Sequence, residues 1–78
     1  MAKAKFEKNS AIWKMFVDFW KLCQDYWWLE DTEEWWEEVV LATNKFALDY
    51  ENREFPRMLA AALIGHLEEQ KRRNKGNE

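Results

Sequence analysis

Three stretches of the chain carry apolar residues at helical spacing, and two short polar segments separate them. Positions three and four apart share one face of a helix. In the first stretch Ile12, Phe16, Phe19, Cys23 and Tyr26 follow that spacing, which predicts a helix over 10–27. A second line, Trp13, Val17, Trp20 and Trp27, holds three Trp at intervals of seven. Together the two lines make an apolar arc wider than one neighbouring helix needs. Lys14, Asp18, Lys21 and Asp25 mark the solvent side. Asn9 or Ser10 can cap the orphan amides of the first turn.

Residues 28–31 read as a turn. Asp31 followed by Glu34 has the form of a capping box at the start of a second helix over 32–50. Its main apolar face is Trp35, Trp36, Val39, Val40, Thr43, Phe46, Ala47 and Tyr50. Leu41 and Leu48 fall almost opposite, either as isolated exposed leucines or as a second contact line. Residues 51–54 form the next turn, with Asn52 as cap and Pro56 tolerated near the first helical turn. A third helix over 54–73 carries Phe55, Leu59, Ala62, Leu63, His66 and Gln70 along one side, flanked by Met58 and Leu67. Ala61 and Gly65 are small and four apart, which invites close approach of a neighbouring helix. The fold class expected is all-α: a compact three-helix domain over 10–73. A basic tail, 1–9, precedes it, and a frayed tail, 74–78, follows.

Composition agrees with that reading, since 2 Gly and 1 Pro leave little material for hairpins. Net charge is −3 but uneven: +2 over residues 1–8, +3 over 71–78 and −8 between them. Duplex nucleic acid needs a basic face for its phosphates, so the acidic middle argues against it as a partner. No apolar run is long enough to span a bilayer. The basic start lacks the apolar stretch of a secretory signal, so a cytoplasmic location is expected.

Catalytic constellations are missing. His66 is the only histidine, which removes paired-His metal sites and leaves little for a triad. Cys23 is the only cysteine, so it has no internal disulfide partner. It reads as a small buried hydrophobe or, alternatively, a reactive thiol. No Gly-rich phosphate loop is present. A non-enzyme without metal or cofactor is expected. The acidic run of Glu30, Asp31, Glu33, Glu34, Glu37 and Glu38 is either a solvated helix start or an acidic docking surface.

The aromatics remain. Six Trp, 5 Phe and 2 Tyr in 78 residues exceed what one small core hides. That surplus predicts a homo-oligomer, a partner protein or a flat ligand. Adjacent residues on a helix point about 100° apart, so the doublets Trp27-Trp28 and Trp35-Trp36 can each face both inward and outward. Tyr26, Trp27, Trp28, Trp35 and Trp36 form the expected binding surface. Lys45, Arg53 and Arg57 are candidates to supply positive charge, and His66 is either a satisfied core or interface histidine or a pH-sensitive contact or ligand-binding group.

The segments IWKMFVDFWKLCQDYW, DTEEWWEEVV and FPRMLAAALIGHLEE resemble small, Trp-rich, uncharacterised helical proteins of phages and prophages of Gram-positive bacteria. The resemblance covers about residues 11–70 and rests on aromatic spacing. Trp35-Trp36 is more aromatic than that pattern, and His66 stands where it has a generic polar residue. The resemblance implies an accessory phage protein. Such proteins are often counter-defence factors, by analogy of context. Two modes of action follow: stoichiometric inhibition of a host defence protein through an aromatic and acidic surface, or sequestration of a nucleotide signal between Trp planes and Arg or Lys. A structural homo-oligomer or assembly factor is the third reading.

Overall fold

Ser10 opens the first helix: its hydroxyl accepts from the Trp13 amide at 3.2 Å. In this computed structural model, which describes residues 3–76, α1 spans Ala11–Asp25, α2 Glu33–Asp49 and α3 Glu54–Gly76. Among the described residues there is no strand. The all-α three-helix fold is therefore as expected. α1 packs on both other helices, and α2 and α3 share the largest contact.

The core departs from the expected face of α1. Met15 and Leu22 are its buried residues, with Phe19, Cys23 and Tyr26 half-buried against the same cluster. Met15, Phe19, Leu22 and Tyr26 form one helical stripe. Ile12 and Phe16, expected on the inner face, are exposed beside it. Trp20 lies about 140° round the helix from Met15 at roughly 100° per residue, and so points away from the core. α2 contributes Trp35, Val39, Thr43, Phe46 and Ala47, and α3 contributes Ala60, Leu63 and Leu67. Val39 and Leu67 are fully buried, each removal from water contributing about 1.5–3 kcal/mol. The Thr43 hydroxyl donates to the Val39 carbonyl at 2.9 Å, so its burial leaves no polar group unmatched.

Several sequence expectations are corrected at the helix ends. α1 stops at Asp25, not at 27, because the carbonyl of Trp27 and the amide of Leu29 find partners on α3 instead of continuing the helix. Thr32, not Asp31, caps α2, accepting from the Trp35 amide at 3.1 Å. Asp31 adopts φ 50, and its carboxylate accepts from the Trp36 indole at 3.0 Å. Asn52 closes α2 rather than opening α3. Its amide donates to the Ala47 carbonyl at 2.8 Å and the Glu51 amide donates to Leu48 at 3.0 Å, the two bonds of a Schellman closure. Both residues are left-handed, at φ 62 for Glu51 and φ 54 for Asn52.

The tails differ too. α3 stays helical through Gly76, where fraying from Asn74 was expected; residues 77–78 lie outside the described ones. Residues 3–9 are non-helical as expected, but they fold back: the Phe6 ring stacks on Phe16 with centroids 5.8 Å apart. Gly65 has no neighbour within 4 Å of where a side chain would begin, so no helix exploits the Ala61–Gly65 step. The molecule measures 49 × 27 × 19 Å, with a radius of gyration of 14.6 Å. A sphere-like chain of this length would give about 11.5 Å. The excess fits α3, whose 23 residues are about 34 Å long at 1.5 Å each.

Where α1 meets the end of α2, the Tyr50 hydroxyl donates to Asp18. Burial, that hydrogen bond and the charges of Asp18 and Asp49 push the Tyr50 phenol up to about 12. Burial raises the Cys23 thiol above its ordinary value, which favours the protonated form.

Candidate protein-binding surface

The elbow between α1 and α2 is a short connection held by side chains from α3. Gln70 acts twice. Its Oε1 accepts from the Leu29 amide at 3.2 Å, and its Nε2 donates to the Trp27 carbonyl at 2.7 Å. The same amide nitrogen lies 2.8 Å from His66 Nε2. His66 in turn stacks flat on Trp27, with centroids 4.0 Å apart and planes 27° apart. At the next residue, Lys71 Nζ lies 3.4 Å from Asp31. Three residues within two turns of α3, His66, Gln70 and Lys71, therefore grip both ends of the elbow.

That grip fixes what the elbow presents. Tyr26 turns inward and meets Trp35 edge-on at 6.2 Å, and Trp35 meets Trp36 edge-on at 5.1 Å. Trp35 is buried in the core, while Trp36 is half-buried and tied to Asp31. The second doublet thus splits inward and outward, as adjacent helical positions do. Burial raises the Tyr26 phenol, with Glu38 and Asp25 adding to the shift. Trp27 lies over His66. Trp28 is the exception: it is 77% exposed, the highest value among the exposed large apolar side chains. Glu30, Glu33, Glu34, Glu37 and Glu38 are exposed around the same end of the molecule. The result is one projecting indole on a braced loop, with Trp20, Gln24 and Trp27 beside it and an acidic segment following in the chain.

The expected positive charges lie elsewhere. Lys45 pairs with Asp49 at 3.2 Å on α2, nine residues and about 13 Å along the helix from Trp36. Arg53 pairs with Glu51 at 3.0 Å in the α2–α3 turn. It lines an open groove of about 720 Å³ with Phe6, Phe16, Tyr50 and Phe55. Arg57 is exposed on the first turn of α3. The structure therefore brings Tyr26, Trp27, Trp28, Trp35, Trp36 and His66 together and leaves Lys45, Arg53 and Arg57 apart from them. Lys71 and Arg72 are the cations beside Trp36, where they border a shallow depression of about 430 Å³ with Glu68.

Sequence reasoning placed His66 and Gln70 on one side of the third helix but gave Gln70 no role. Its partners are 41 and 43 residues away, and no local spacing marks them. Asp31 was assigned to a cap, which hid its contact with Lys71. No protein-family model matches the chain, and neither a curated protein nor a solved structure is found similar to it.

Proposed function

We propose that this chain is a non-catalytic binding protein, acting as a small homo-oligomer in the host cytoplasm. In this reading it inhibits a host defence protein on behalf of a phage. The observation that carries the reading is Trp28: a large indole held almost fully in water by a loop whose backbone is bonded from two sides by Gln70. Trp is enriched among the side chains that dominate protein interfaces. Holding it on a braced loop cuts the ordering cost of binding. The acidic segment that follows in the chain favours a basic surface on the target and speeds encounter. The phage setting comes from the aromatic resemblance of residues 11–70.

The placement of the cations favours a protein target over a nucleotide signal. A nucleotide trapped against Trp28 needs positive charge there, whereas Lys71 and Arg72 lie beside Trp36 and the depression at Trp28 is lined by Trp20, Cys23, Gln24 and Trp27. The test is capture from host lysate on immobilised wild-type protein and on Trp28→Ala, followed by binding of the purified target. The wild type is expected to retain one protein in stoichiometric amount, and Trp28→Ala to lose at least about tenfold in affinity. Equal binding by Trp28→Ala, or retention of a nucleotide and no protein, contradicts the proposal.

A further inference from the structure

The outer face of α1 is the largest apolar feature that neither the core nor the elbow uses. Trp20 is 61% exposed, Phe16 and Ile12 are exposed, Trp13 and Val17 are half-buried, and Trp27 continues the line past the helix end. Phe6 of the folded-back N-terminal segment lies beside it. The face carries an open, almost wholly apolar depression of about 480 Å³ lined by Phe6, Trp13, Phe16, Val17 and Trp20. With large apolar side chains covering about 150–250 Å² each, the exposed fractions of Phe6, Ile12, Phe16, Trp20 and Trp27 amount to roughly 350–600 Å² per copy before Trp13, Val17 and the charged rim are added. A stable interface needs about 800 Å² from each side.

The Trp spacing along this face is symmetric about Trp20, and the charges beside it reverse in sign when the direction is reversed. Trp13 and Trp27 stand seven residues either side of Trp20. The adjoining rim alternates Lys14, Asp18, Lys21, Asp25. In an antiparallel pairing centred at Trp20, that indole meets its own copy; Trp27 lies past the end of α1 and stacks on His66, so the register rests on residues within the helix. Within one residue of the same register, Lys14 faces the partner's Asp25, Lys21 faces the partner's Asp18 and Phe16 faces the partner's Cys23. A two-fold interface must be self-complementary, since each patch meets its own image. Few helix faces meet that condition in both charge and shape.

We infer that the outer face of α1 is the interface of an antiparallel homodimer centred on Trp20. This deepens the oligomeric part of the function proposed above; Trp20 and Trp28 border one depression, so the two readings are separated by variant and by assay. Apolar area supplies affinity, and the alternating rim favours the antiparallel direction, in which the same flank of the two copies is brought face to face.

The test is sedimentation equilibrium of the full chain across a concentration series at low salt. Wild type is expected at twice the chain mass of 9.6 kDa. Trp20→Ala is expected to weaken the dimer about tenfold or more. Lys14→Glu places like charges against Asp25 of the other copy and is expected to weaken it severalfold. Lys14→Glu combined with Asp25→Lys restores the pair and the dimer in the antiparallel register alone. Far-UV circular dichroism identifies any variant that fails to fold, and the reciprocal charge pair keeps the test open if Trp20→Ala does so. Wild type that stays monomeric at every concentration overturns the inference, including a monomer that instead sediments with anionic vesicles. A dimer indifferent to Trp20→Ala, or one the double charge swap does not restore, overturns it as well. Loss of target capture by Trp28→Ala with an intact dimer leaves this inference standing, so the two proposals fail separately.

Discussion

The two faces of α1 differ in what they are made of. The inward face is a thin seam of Met15 and Leu22 with Phe19 and Tyr26 beside it. The outward face carries Trp13, Trp20 and, past the helix end, Trp27 and Trp28. Buried area on the inward side contributes to folding, because those side chains leave water within one chain. Trp20 and Trp28 leave water only if something else arrives. Aromatic content and core content are therefore different quantities in this protein. Of the 6 Trp, Trp35 alone is fully within the core cluster. The comparison teaches that side-chain size is a poor guide to which line of a helix faces inward when two lines both keep helical spacing.

The comparison is breakable from the inward side first. Leu67→Ala removes a fully buried side chain at the centre of the cluster and leaves a cavity. It is expected to cost about 2–5 kcal/mol of unfolding free energy, read by urea denaturation. A cost below about 1 kcal/mol would mean that the helices do not close on Leu67 as described.

A smaller effect is expected at the elbow. Gln70→Ala strips the partner from the Leu29 amide and the Trp27 carbonyl. The expected cost is about 1–3 kcal/mol, reduced where water can reach the freed groups. Amide hydrogen exchange would show the effect locally, with faster exchange at Leu29. Unchanged exchange there would remove Gln70 from the account and, with it, the rigidity assigned to Trp28.

Much of the fold is legible in the residues themselves. Helical spacing, the Ser10 cap and the polar breaks at 28–31 and 51–54 place three helices to within a few residues. The outward position of Leu41 and Leu48 is legible too, since both lie across α2 from Val39 and Phe46. Three things are not. The inward seam of α1 is hidden because Met15 and Leu22 are smaller than the aromatics on either side, and both lines have helical periodicity. The closure of α2 is hidden because Glu51 and Asn52 adopt left-handed conformations where glycine would have announced the turn. The elbow is hidden because its partners come from α3, more than forty residues away. For the binding surface, the aromatic half of the expected residues converges at one end. The cationic half does not, because Lys45 and Arg53 are engaged with Asp49 and Glu51 close to them in sequence.

The central claim is that the outward tryptophans serve association and not folding. The most direct measurement is urea unfolding of the Trp20→Ala/Trp28→Ala variant beside wild type, at a concentration where both are monomeric. The account predicts unfolding free energies that agree within about 0.5–1 kcal/mol, as for surface positions. A loss of about 2 kcal/mol or more, approaching that of Leu67→Ala, would place these indoles in the folding core and contradict it.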